Sequence, residues 1–308
     1  MQKILWLLLA GVATVSATSC GFFDDQSTPE GYVRHCIRLL DEQALYANTP
    51  EWREAKKEML EEAKVLATMD EAHALVTKAA KMAGGKHSNL VAPVEDTASY
   101  KEFAPEVKML ECGIAYIQLP AHSGVKVTDS LYLHTVLDFL QENLNVKGVV
   151  LDLRDNTGGN MYPMIASLSP LLPNGTVISF KSRKCTSPIT LDYVMREAGL
   201  QGDISKFPAA TPIAVLTNER TGSSGEATLL CFRGLDNIRT FGVPTAGYAS
   251  SNVTHILDDG YTLLITMSCD VARTGEVFCD DPIVPDVNTE TPLEDAIGWI
   301  ESLKSVAQ

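Results

Sequence analysis

Little in this chain could hold a metal ion or grip nucleic acid. Seven cysteines and six histidines are spread over 308 residues. No Cys-x-x-Cys and no His-x-x-x-His pair occurs, so the usual zinc spacings are missing. Basic residues are in deficit, with 25 Lys and Arg against 39 Asp and Glu and a formal net charge of −14. There is no basic run, and phosphate contact needs clustered Lys and Arg, so nucleic acid is excluded as a partner. The charge mildly favours cationic peptides over anionic ones. No tract of low complexity and no repeat of fixed period stands out. The content of 45% hydrophobic and 21% charged residues is that of an ordinary soluble globular protein.

The first residues differ from the rest. Lys3 is the only charge before an apolar run over 4–15, which is short for a bilayer span. Small residues and Cys20 follow. This layout predicts a signal peptide over 1–19. Cys20 is a candidate lipid-attachment site, although Ala17 stands where bacterial lipoboxes usually carry Leu. Ordinary cleavage after Ala17 is the alternative, and both readings export the protein to the cell envelope. An oxidising envelope permits disulfides, and Cys269 and Cys279 could face each other across a hairpin.

Residues 20–28 read as a tether and 29–84 as a small helical domain. Apolar residues recur there at three and four spacing; Thr49 is placed to cap a helix opening at Pro50, and Asp70 to cap another. His35 and His73 read as structural. Residues 85–108 read as a loop, with His87 near its start. From 109 to 308 strands and helices alternate, which predicts an α/β core. Strands are expected over 113–119, 147–153, 176–180, 213–217, 239–242 and 261–268. Helices are expected over 129–143, 161–172, 224–233 and 293–303, with Leu131 on the buried face of the first. His134, at helical spacing, is assigned to core or edge, and His255 to the surface.

Two segments carry chemistry. In Asp152-Leu153-Arg154-Asp155-Asn156-Thr157-Gly158-Gly159-Asn160 a buried strand runs into a Gly-Gly turn before a helix, exposing backbone N–H groups that favour a negative oxygen. In Asn218-Glu219-Arg220-Thr221-Gly222-Ser223-Ser224-Gly225-Glu226 a second strand leads through small residues into another helix. A serine there is either a nucleophile lifted at a helix N-terminus or a plain cap completed by Glu226. The Gly-x-Ser-x-Gly elbow of ester hydrolases is missing.

Together these segments resemble the tail-specific, or C-terminal processing, serine peptidase family. The strand Gly113-Ile114-Ala115-Tyr116-Ile117-Gln118-Leu119-Pro120, the turn Gly242-Val243-Pro244-Thr245-Ala246-Gly247 and Val284-Pro285-Asp286 match further family motifs in order. The resemblance implies a mixed-sheet serine peptidase core of crotonase-like ββα architecture, preceded here by the small helical domain. It implies Ser223 as nucleophile, Gly159 and Ser224 as oxyanion-hole donors, and Ser224 as a fallback nucleophile. Many members carry a Lys base directly after the Gly-x-Pro-Thr-x-Gly turn. This chain has Tyr248 there, and a phenol of ordinary pKa about 10 is a poor base at neutral pH.

The nisin-resistance and tricorn-core branch takes its base from an upstream glycine loop instead. Gly84-Gly85-Lys86-His87-Ser88 resembles that loop, so His87 is the expected general base and His122 the fallback. An orienting acid is sought near the closing motif, where Glu276 and Asp280 are candidates. Ser88 or a backbone carbonyl could serve instead. Asp152 and Arg154 read as a structural pair. The expected reaction is hydrolysis of an extended peptide or a protein C-terminus, with no metal, no organic cofactor, and membrane contact only through the N-terminal anchor. The alternative is a catalytically inactive envelope protein that binds peptides or apolar ligands on the same fold.

Overall fold

The structure, a computed structural model, describes residues 24–93, 103–122 and 126–305. The predicted signal peptide and Cys20 lie outside these residues. Three helices come first: α1 (Pro29–Gln43), α2 (Pro50–Ala63) and α3 (Met69–Gly84). Thr28, Thr49 and Thr68 cap them, each hydroxyl accepting a first-turn N–H. Thr68 rather than Asp70 caps α3, because its Oγ accepts from Glu71 N–H while the Glu71 carboxylate accepts from Thr68 N–H at 3.0 Å.

The expected loop over 85–108 contains two short strands, β1 (Asn89–Val91) and β2 (Glu106–Met109). The chain continues through β3 (Ala115–Gln118), α4 (Lys126–Glu142), β4 (Val149–Asp152), α5 (Met161–Ser167), β5 (Thr176–Ser182), β6 (Thr186–Thr190) and α6 (Leu191–Glu197). It ends with β7 (Ile213–Thr217), α7 (Ser224–Phe232), β8 (Ile238–Gly242), β9 (Ser250–Ile256), β10 (Thr262–Val271), β11 (Val277–Phe278), β12 (Val287–Asn288) and α8 (Pro292–Ser305). Leu131 on α4 is 63% exposed, so the buried face of that helix is Leu133, Val136, Leu137 and Leu140 without it.

The strands form two sheets. One is mixed, in the order β12-β8-β7-β4-β3-β2, parallel throughout except for the antiparallel edge strand β2. Its central strands β3, β4 and β7 are buried along nearly their whole length because both faces are covered. Ala115, Ile117, Val149, Leu151, Ile213 and Val215 face one core with buried residues of α4, α5 and α7. Their alternates Tyr116, Val150, Ala214 and Leu216 face a second core under Ala296 and Ile300 of α8. Full burial of one such large aliphatic side chain contributes about 1.5–3 kcal/mol.

The other sheet is antiparallel and built around the long strand β10. β1 and β5 lie along one edge of β10 and β9 and β11 along the other, and β6 extends the sheet beyond β5. The core of α1–α3 continues onto this sheet through Leu90, Leu263 and Ile265. The Cys269–Cys279 disulfide closes the β10–β11 hairpin. Among the described residues no helix is long and apolar enough to cross a membrane.

Candidate active site

Ser223 stands where β7 hands over to α7. Its backbone has φ 52° and ψ −120°, a left-handed conformation rarely adopted by a residue with a side chain. The serine therefore differs from the ordinary caps of this chain: Thr28, Thr49, Thr68 and Thr190 are all extended, with φ between −133° and −76°. The strain is held by packing around it. Glu226 is fully buried and accepts four hydrogen bonds, from Ser223 N–H at 2.9 Å, Gly247 N–H, Tyr248 N–H and the Thr245 hydroxyl. Burial pushes its carboxyl up, and the four donors oppose that shift. Gly222 N–H donates to Asn156 O at 2.9 Å, and Thr221 Oγ1 donates to Leu153 O. Glu226 thus fastens the Ser223 loop to the turn at 245–248, a part that cap reasoning alone does not reveal.

The glycine turn lies against this serine. Gly158 has φ 107°, and a Cβ on it would sit 2.7 Å from Ser223 Cβ. Gly159 has φ 119°, and a Cβ there would come within 1.8 Å of His122 O. Neither position tolerates a side chain. The buried Asn156 braces the turn, donating to Leu119 O at 2.8 Å and accepting from Gly158 N–H at 3.0 Å. His122 N–H donates to Gly158 O and Asn160 N–H donates to His122 O, which leaves the Gly159 N–H outside that pairing. Ser224 Oγ donates to Gly159 O at 2.5 Å. That bond joins the two loops and commits the hydroxyl of the fallback nucleophile elsewhere.

His87 reaches the same place from the other sheet. It is 6% exposed and lines a cavity of about 280 Å³ together with Gly159, Ser223, Ser224, Ser250 and Asp270. Its loop is tied down from several sides. Lys86 Nζ donates to Ala246 O and Asp280 O, Lys81 Nζ donates to Lys86 O, and the Ser88 and Thr266 hydroxyls meet at 3.0 Å. His87 Nδ1 lies 2.9 Å from Ser250 Oγ. Among the described residues the buried Nε2 has no hydrogen-bond partner, so with its Nδ1–H directed at Ser250 the ring presents the Nε2 lone pair to the cavity. Burial first, then the nearby Lys81 and Lys86, pushes the imidazole down to about 4. Tyr248 packs edge-on against the ring at 5.2 Å between centroids.

The other sequence candidates sit elsewhere. His122 Nε2 bonds Asp129 Oδ1 at 2.6 Å and its ring packs on Tyr132, so the fallback base supports the glycine turn. Glu276 does not enter the cavity; it forms a surface ion pair with Arg233 at 2.7 Å. Asp280 also falls outside it, with its carboxylate against Gly85, where a Cβ would meet Oδ2 at 2.5 Å. The group facing His87 Nδ1 is Ser250, since the Ser88 hydroxyl goes to Thr266. Asp152 and Arg154 form the expected pair, joined by the Tyr116 hydroxyl. His73 bonds Asp259 at 2.7 Å, and the half-buried His255 reaches Gln43. Among the described residues no group of three or more His, Cys, Asp or Glu side chains could hold a metal ion.

Asn252 and Asp270 also line the cavity, and the sequence reading missed both. Thr266 N–H donates to Ser88 Oγ, Ser88 Oγ to Thr266 Oγ1, and Thr266 Oγ1 to Asn252 Oδ1 at 2.8 Å. That order fixes the Asn252 amide with Nδ2 as the end without a partner, a donor suited to a peptide carbonyl. For Asp270 the signal in the sequence is an acid within the largely buried strand β10, whereas Asn252, on the half-buried β9, gives none.

A family model described as Peptidase family S41 matches residues 113–289. The chain is 37% identical over 281 residues to the nisin-resistance protein of Lactococcus lactis subsp. lactis, covering 89% of this chain and 88% of that protein. It is 26% identical over 198 residues to the carboxy-terminal processing protease CtpA of Bacillus subtilis, of which it spans 40%. Among solved structures it is similar to a lipoprotein from Streptococcus agalactiae, with a TM-score of 0.81 and 33% identity, covering 89% of this chain and 96% of that one.

Proposed function

The chain belongs to peptidase family S41, and from that premise we propose that it is a serine peptidase in which Ser223 attacks the scissile carbonyl and His87 serves as general base. The observation that carries the reading is the shared cavity: a strained serine and a buried imidazole nitrogen without a partner both line it. The Ser223 hydroxyl passes its proton to His87 Nε2 as Oγ bonds the carbonyl carbon. The carbonyl oxygen becomes an oxyanion held by the N–H groups of Gly159 and Ser224. His87 then protonates the leaving amine as the C–N bond breaks. Water, deprotonated by the same nitrogen, releases the acyl group and restores Ser223. Ser250 holds the ring in the tautomer this sequence needs. The substrate is an extended peptide or a protein C-terminus, in line with the processing protease among its relatives.

The apolar run over 4–15 and Cys20 support export and a lipid anchor on the cell envelope. Radiolabelled palmitate should enter wild type and not Cys20→Ser. The enzymatic reading is tested with a fluorophosphonate probe and an unstructured peptide pool that includes nisin. Wild type should be labelled and should cleave, while Ser223→Ala and His87→Ala should do neither. A folded wild type that is inert in both assays would leave a peptide-binding protein as the reading of this fold.

A further inference from the structure

Asp270 has no role in the chemistry above, yet it lines the same cavity. It lies near the end of β10, beyond the buried residues Leu263, Leu264 and Ile265, and is itself 2% exposed. Among the described residues its Oδ1 has no hydrogen-bond partner. The titratable neighbour that acts on it is another acid, Glu226, and burial together with that acid pushes its carboxyl well above the ordinary range. No lysine or arginine lines the cavity to offset it. In the empty protein these surroundings disfavour the ionised carboxylate, because an isolated buried charge is costly.

Part of the cavity lining is apolar. It includes Phe180, which pairs with Asp270 across the sheet, and Met161, Tyr162 and Ile189. An acid in a slot whose lining holds no lysine or arginine complements one kind of side chain: an aliphatic stem that ends in a cation. The net charge of −14 draws such substrates toward the protein.

We propose that Asp270 is the acid of a substrate subsite that takes a lysine or arginine side chain next to the bond cleaved, an inference that rests on the peptidase reading for its role in turnover. When the cation enters, Asp270 releases its proton to solvent and forms a charge-assisted hydrogen bond with the ammonium or guanidinium group. The stem packs against Phe180 and Ile189.

The test uses quenched peptides that differ at one position at a time, carrying Lys, Arg, norleucine or Glu on either side of the scissile bond. At one position wild type should cleave Lys and Arg peptides with kcat/KM about tenfold or more above norleucine, with Glu lowest. Asp270→Asn should bring the Lys-to-norleucine ratio to about one while Ser223 still reacts with the fluorophosphonate. n-Butylammonium should inhibit wild type competitively and 1-butanol should not, a comparison that needs no variant to fold. Binding of the same peptides to Ser223→Ala by fluorescence anisotropy separates this inference from catalysis. Equal affinity for Lys and norleucine peptides would overturn it even if the enzyme is active. A lysine preference in binding with no turnover by wild type would overturn the peptidase reading and keep the subsite. An Asp270→Asn protein that folds and retains the lysine preference would also sink it.

Discussion

Acid should reach His87 late. An exposed imidazole takes its proton near pH 6.5, whereas burial and two flanking lysines push this one down to about 4. Between those values the unfolded chain binds a proton that the native protein refuses. Stability must then fall as pH drops from about 6.5 through about 4, and the loss levels off below. A difference of this size corresponds to roughly 3 kcal/mol, at about 1.4 kcal/mol per unit. The assay is urea unfolding of wild type and His87→Gln across pH 3.5 to 7.5, because the difference between the two curves isolates the imidazole. Wild type should lose roughly 3 kcal/mol relative to the variant across that window. The acid limb of kcat/KM, which reports the free enzyme, should have its midpoint near 4 rather than 6.5. Lys81→Met should move that limb upward, since Lys81 is the larger of the two charge effects. A flat difference curve, or an acid limb at 6.5 or above in a stably folded enzyme, would refute the reasoning that this ring is sealed away from water and neutral.

Five further outcomes follow from the geometry. Ser223→Ala should lower kcat by about 10⁴-fold or more, and Ser223→Gly should raise Tm by about 2–4 °C by relieving roughly 1 kcal/mol of left-handed strain, as read by calorimetry. Gly159→Ala should cost about 10²-fold or more in kcat, because its Cβ would collide with His122 O and displace an oxyanion donor. Asn252→Ala should raise KM for peptides by about tenfold, the contribution of one buried hydrogen bond, with a smaller effect on kcat in steady-state assays. Replacing both Cys269 and Cys279 by Ser should lower unfolding free energy by about 2–3 kcal/mol, as expected for a bridge spanning 10 residues.

The mixed sheet is legible in the sequence because its central strands β3, β4 and β7 are covered on both faces and so read as largely apolar blocks. β7 matches its expected span, 213–217. The strands hidden from sequence are those with one face wet or with few residues. β6 is Thr186–Thr190 with exposed and half-buried positions, and β11 and β12 have two residues each. Ser223, Ser224, Gly159 and His87 come together around one cavity, but their motifs announce themselves through glycines and small residues at turns. The groups that orient and surround them do not. Ser250 and Asn252 lie on β9, whose residues look like any solvated hairpin until β10 and the base loop are laid beside them. The search for an orienting acid near the closing motif fails for a related reason. Chain distance from that motif says nothing about which side chain faces Nδ1, and a hydroxyl rather than a carboxylate occupies the place.

The imidazole loop is clasped by Lys86 to carbonyls at Ala246 and Asp280, both contributed by chain that follows Ser223. A molecule still emerging from synthesis, or one partly melted, thus has the Ser223 hydroxyl before it has a seated imidazole. On the proposed chemistry, hydroxyl and base become a pair only once residues as far as Asp280 have joined the fold.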